Sequence, residues 1–140
     1  MNRTTLLVLL LLLLLPLSAL TPEDEYIRKA ALLQKISNYI EWPEEMGMND
    51  KSKPFVIGVI GQNPFGPILE KAYSKKEKKI RYKKVEIKYI SKPAEIANFH
   101  ILFISSSMKE SLPVILAVTS NKPVLTIGDT EGYAEKGVLF

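Results

Sequence analysis

Apolar and polar residues follow distinct rhythms along the chain. Leu6 to Leu15 is an unbroken apolar run of ten residues. After it, Tyr26, Ala30, Leu33, Ile36 and Ile40 recur at steps of three and four, with Ile27 and Ala31 beside them, which predicts one apolar stripe on an amphipathic helix. Thr21 is a good N-cap for it and Pro22 suits its first position, where no N–H is needed. Glu23 and Asp24 lie where the helix dipole favours negative charge. Pro43 disfavours helical geometry at Trp42, so this helix is expected to stop near Glu41. Glu44 to Lys53 is polar and loop-like.

Phe55 to Ile60 (FVIGVI) is a short apolar run rich in β-branched residues, bounded by Pro54 and Gly61, and reads as a strand buried on both faces. Gln62 to Gly66 is a turn and Pro67 to about Ser74 a short helix. Val85, Ile87 and Tyr89 alternate with Lys84, Glu86 and Lys88, so Lys83 to Ile90 is a half-buried strand. Pro93 to Asn98 gives one or two helical turns, and His100 to Ser105 (HILFIS) a third strand. Ser107-Met108-Lys109-Glu110 has the form of a capping box. Pro113 conflicts with a long helix from there, so regular helix is expected from near Leu112 to Val118. Val124 to Ile127 is a fourth strand, and Gly137 to Phe140 starts like another. Strands alternating with helices predict an α/β fold: a single three-layer domain with a mainly parallel sheet flanked by helices.

The first segment reads as an address. Arg3, the ten-residue run, Pro16 and the small residue Ala19 have the layout of a secretory signal peptide over residues 1–19, leaving 20–140 as the folded domain. The run is shorter than the roughly 20 apolar residues of a spanning helix; an uncleaved membrane anchor is the alternative. The full chain has 140 residues, no Cys and one His, with a net charge of +4. Without Cys there is no disulfide framework, thiolate metal site or Cys nucleophile. With His100 alone, multi-His metal sites are excluded too.

Several phrases in order carry a resemblance. They are Glu25-Tyr26 with Lys29-Ala30-Ala31-Leu32-Leu33; Glu41-Trp42-Pro43; and Pro54 to Gly61 running into Asn63-Pro64-Phe65-Gly66. His100 to Ser105 and Pro123 to Asp129, with Gly132-Tyr133-Ala134, complete the set. Together they resemble the YfiR-like family of bacterial periplasmic proteins, over roughly Glu23 to Phe140. The resemblance implies a small exported α/β domain, not an enzyme. It implies a repressor that holds an inner-membrane diguanylate cyclase inactive, lowering cyclic di-GMP and biofilm formation. Some members carry disulfide-forming Cys, one just before the histidine of the third strand; here that place is Phe99, so redox sensing of that kind is impossible. Members usually continue with a further strand and a C-terminal helix, so the resemblance also implies a chain truncated at Phe140.

The chemistry-bearing residues are sparse. Trp42 reads either as an aromatic anchor for a partner or as a ring packed over the end of the first helix. Gly58, Gly61 and Gly66 fit neither a dinucleotide fingerprint nor a phosphate loop, and read as strand-end and turn residues. His100, alone at the start of a buried strand, reads as structural, and Ser105 to Ser107 lack a nucleophile elbow. From Lys71 to Lys92 there are ten Lys/Arg against Glu77 and Glu86, a net of +8 that leaves −5 on the rest of the exported part. This segment reads as a solvated loop and strand face guarding an edge, or as an electrostatic contact with an acidic partner or membrane surface. Nucleic acid is not expected, since no aromatic platform accompanies the lysines.

The favoured reading is a periplasmic regulator that binds and restrains the periplasmic domain of an inner-membrane signalling protein, with a second copy of the chain as a further partner. No cofactor or metal is expected. Candidate contact residues are Trp42, Lys75, Lys76, Lys78, Lys79 and Arg81. The alternative is a small-molecule-binding domain, with a pocket at the carboxyl ends of the strands bordered by Asn63, Phe65, Ser106 and Asp129.

Overall fold

The computed structural model describes residues 21–75 and 78–139. The expected signal segment, Lys76 and Phe140 lie outside the described residues. The elements are α1 (Pro22–Tyr39), β1 (Phe55–Ile60), α2 (Ile68–Tyr73), β2 (Val85–Ile90), β3 (Ile101–Ile104), α3 (Leu112–Thr119) and β4 (Leu125–Ile127), with short 3-10 turns between them. The sheet order is β2-β1-β3-β4, and every pairing is parallel. The α/β reading therefore holds.

Strand alternation divides the core into two layers. Phe55, Ile57 and Val59 of β1, with Ile101 and Phe103 of β3, pack against Ala30 and Leu33 of α1 and Leu69 and Tyr73 of α2. On the other face Val56 and Ile60, with Leu102 and Ile104, meet Leu112 and Ile115 of α3 and the rings of Phe99 and Tyr133. All of β1 is buried, as an apolar run without alternation requires of a central strand. β2 is the edge: Glu86, Lys88 and Tyr89 are exposed, while Val85 and Ile87 turn inward.

Thr21 caps α1 as expected. Its hydroxyl accepts from the Asp24 N–H at 3.2 Å, and the Asp24 carboxylate accepts from the Thr21 N–H at 3.2 Å. The buried stripe is narrower than expected. Ala30, Leu33 and Ser37 form it, whereas Ile27 is 50% exposed and Ala31 is exposed. The helix ends at Tyr39, two residues before Glu41.

The expected capping box at Ser107 is replaced by a different device. Residues Ser106–Ser111 form a 3-10 turn capped by Ser105, whose hydroxyl accepts from the Ser107 N–H at 3.2 Å. The tighter turn delivers Pro113 to the first turn of α3, where its missing N–H costs nothing. At the other end of the chain Leu139 runs parallel beside Ile127, with Leu139 N donating to the Thr126 carbonyl at 3.0 Å. The strand-like start expected there joins the outer edge of β4.

Candidate functional site

The two ends of the parallel sheet have different characters. At the carboxyl end of the strands, the expected pocket residues are taken up by structural bonds. Asn63 closes its own turn: its amide donates to the Gly66 carbonyl and its carbonyl oxygen accepts from the Phe65 N–H, both at 2.9 Å. Phe65 is 1% exposed and packs edge-on against Tyr26 and Phe103, with ring centroids 5.1 and 4.8 Å away. Asp129 accepts from the Tyr26 hydroxyl at 2.9 Å and pairs with the Lys29 ammonium. Tyr26 thus links Phe65 to Asp129.

Burial alone would lower the Lys29 pKa, but its hydrogen bonds to Asp129 and Glu25 outweigh this and hold it above the usual lysine range. Desolvation first, then the Asp129 carboxylate, raises Tyr26. Ser106 is exposed, and Ser107 accepts from the Gln62 N–H at 2.9 Å, tying the loop after β1 to the loop after β3. A shallow cavity of about 360 Å³ opens here against Pro22, Tyr26, Pro64 and Phe65. Of the four expected residues it includes Phe65; Asn63, Ser106 and Asp129 do not line it.

The amino end of the strands holds more open space. Trp42 is half-buried, with its ring edge-on to Phe55 and His100 at 5.5 and 5.7 Å, and its indole N–H donating to the Ser37 carbonyl at 3.1 Å. Its other side borders a groove of about 200 Å³ with Pro43, Lys122 and Val124. His100 is stacked on Phe55 at 4.3 Å. Its Nδ1 accepts from the Val56 N–H at 3.0 Å, and burial pushes its pKa below the ordinary histidine value.

The basic segment runs along the same end. Lys75, Lys78, Lys79 and Arg81 are exposed. Residues Ile80 to Lys83 form a two-residue hairpin turn with Arg81 at φ 51° and Tyr82 at φ 68°, a left-handed geometry that Asn and Gly adopt far more readily. Two bonds fix this turn to α1: Arg81 donates to the Asn38 carbonyl and the Gln34 amide donates to the Lys79 carbonyl, both at 3.1 Å. A cleft of about 740 Å³ lies between α1, the loop before β1 and this turn. Lys51, Lys79 and Arg81 line it, with Asn38 and Asn49, and among the described residues no carboxylate does.

Lys83 is fully buried beneath. Its ammonium donates to the carbonyls of Asp50 and Lys53, the latter at 3.1 Å, and desolvation lowers its pKa. It thereby anchors the loop that carries Lys51. Sequence reasoning grouped Lys83 with the basic segment; the signal that separates it was its register, two residues before Val85 on the inward face. Lys51 and Asn38 could not be joined to the segment from sequence, because the cleft is made by tertiary contact.

Among the described residues no group of His, Asp and Glu could hold a metal ion, and no helix is long and apolar enough to cross a membrane. A family model described as YfiR/HmsC-like matches residues 26–140. No curated protein and no solved structure matches the chain.

Proposed function

The chain belongs to the YfiR/HmsC-like family, and on that ground we propose that it is a periplasmic regulator that binds and restrains an inner-membrane signalling protein, a diguanylate cyclase. The family is known for periplasmic regulation of cyclic di-GMP signalling and is regulatory rather than catalytic. The match over residues 26–140 is the observation that carries the proposal. A regulator of this kind needs differential affinity for two states of its partner and no chemistry of its own.

We propose the amino end of the sheet as the contact surface, where Lys75, Lys78, Lys79 and Arg81 are exposed and Trp42 borders a separate groove. Lys76 belongs to the same segment in sequence. The exposed cations favour an acidic face on the partner, and the bonds from Gln34 and Arg81 hold part of the surface in place before binding. Cleavage of residues 1–19 on export is part of the proposal.

Deleting the gene in a host that expresses the partner cyclase is expected to raise cyclic di-GMP and biofilm formation; an unchanged level refutes the regulatory role. Affinity capture from detergent-solubilised membranes with the tagged domain is expected to recover the cyclase. The triple variant Lys75→Glu, Lys78→Glu, Lys79→Glu, at exposed positions that leave the Arg81 bond to α1 in place, is expected to lose it while keeping the wild-type unfolding midpoint. Undiminished capture would move the contact elsewhere.

A further inference from the structure

His100, at the amino end of the sheet, carries a buried donor with nothing to donate to among the described residues. His100 is the only histidine in the chain and is 5% exposed. Its Nδ1 accepts from the Val56 N–H at 3.0 Å, so the proton of the neutral ring sits on Nε2. That Nε2 is buried and has no hydrogen-bond partner among the described residues. Leaving such a group unsatisfied is unfavourable, and native structures do so rarely. The Met46 carbonyl is near enough to favour a charged ring but does not make the bond.

His100 lines a cavity of about 440 Å³ between the loop after α1 and the starts of β1 and β3, within the size range of small-molecule sites. Met46, Pro54, Val56 and Pro123 give it apolar walls, and Lys53 lines it too. Lys53 is only loosely engaged, 3.8 Å from the Asp50 carboxylate with its side chain 71% exposed, so it is free to turn to a ligand. Glu45 is the one acidic lining residue, and it is exposed.

We infer that this cavity is a binding site for a small organic carboxylate, whose oxygens accept from His100 Nε2–H and pair with Lys53 while its apolar body lies against Met46, Pro54, Val56 and Pro123. A buried N–H and a lysine lining the same cavity are a donor set that a carboxylate can satisfy at both oxygens and that a neutral carbonyl compound satisfies at one. The site lies at the opposite end of the strands from the pocket that sequence topology suggests. It is independent of the regulatory reading.

The single histidine makes the test unambiguous, because long-range proton–nitrogen spectra of the ¹⁵N-labelled domain contain one imidazole. Titration with butyrate or benzoate, against chloride at matched ionic strength, is expected to shift the Nε2 signal saturably at millimolar concentration. Butyramide is expected to shift it less. Lys53→Gln, with its amide spectrum unchanged beyond the site, is expected to weaken carboxylate binding about fivefold. An Nε2 signal that no carboxylate moves overturns the inference. So does a through-bond coupling between Nε2 and the Met46 carbonyl carbon in the free protein, since the donor would then be occupied. A carboxylate response that Lys53→Gln leaves intact, or that butyramide equals, overturns the carboxylate assignment.

Discussion

His100 and Asp129 show what single side chains contribute at the two ends of the sheet. The His100 pKa is lowered by burial, and the neutral ring is the form whose Nδ1 can accept from Val56. The unfolded chain therefore binds a proton at a pH where the folded chain does not. The contribution is complete above the unfolded value of about 6.5 and is lost as pH falls below it toward the folded value. The urea midpoint is expected to drop between pH 7 and pH 5, and His100→Gln is expected to flatten that segment of the curve. Asp129 holds two partners from α1, the Tyr26 hydroxyl and the Lys29 ammonium, with Lys29 and Asp129 side chains each 17% exposed. Asp129→Asn keeps an acceptor but removes the charge, and is expected to cost about 1–3 kcal/mol in denaturant unfolding.

At this scale the sequence was only partly readable. Asp129 stood out as a residue after a strand, but Lys29 lies a hundred positions earlier and nothing local joins them. Lys83 was readable in principle, since alternation puts it on the same face as Val85 and Ile87. Its burial is tolerated because the polar loop before β1 turns two carbonyls toward it.

Among the described residues, the left-handed backbone positions all lie in the connections and none in a strand. Gly61 ends β1 at φ 93°, and a Cβ there would come within 2.5 Å of the Ser107 hydroxyl and 2.6 Å of Met108 Cγ. Gly61→Ala combines a disfavoured backbone with a steric clash, and is expected to lower stability by about 2 kcal/mol or more, read as a shift in urea midpoint. The turn at Arg81-Tyr82 is the reverse case. Tyr82→Gly supplies a residue its left-handed geometry prefers and leaves the Arg81 bond to the Asn38 carbonyl in place, and is expected to raise stability by about 1 kcal/mol, read by thermal unfolding.

The strands were legible because β1 and β3 are unbroken apolar runs, and β2 alternates as an edge strand must. The serine cap was not. Ser105 and Ser107 have the same local chemistry, and the choice between them is made by the bond from Gln62 that occupies Ser107.

The whole molecule is polarised in both charge and order. Ten cations fall between Lys71 and Lys92 in a chain whose net charge is only +4, and among them Lys75, Lys78, Lys79 and Arg81 are exposed. Contact of the exposed cations with the proposed acidic partner is screened over about 10 Å at 0.1 M salt and about 3 Å at 1 M. Capture of the partner is therefore expected to weaken steeply as salt rises. The three layers and the parallel sheet followed from the order of elements, since parallel neighbours require crossovers. The placement of the open space did not follow. Topology favours the carboxyl end of the strands for ligands, yet here Asn63, Asp129 and Ser107 bond that end shut and the larger cavities lie at the other.

The strand order also dictates a timetable for synthesis. β1 emerges first and becomes the centre of the sheet, but it has no hydrogen-bonding neighbour until β2 has been made, 25 or more residues later. β3 then covers its second edge and exposes its own, four residues that are all buried in the finished sheet. Until β4 arrives, a nascent chain presents an unpaired apolar edge of the kind that recruits other chains. Because every strand pairing is non-local, closure is slow relative to that of a helical protein of the same length. Such a chain is most open to pairing with its neighbours between the completion of β3 and the arrival of β4.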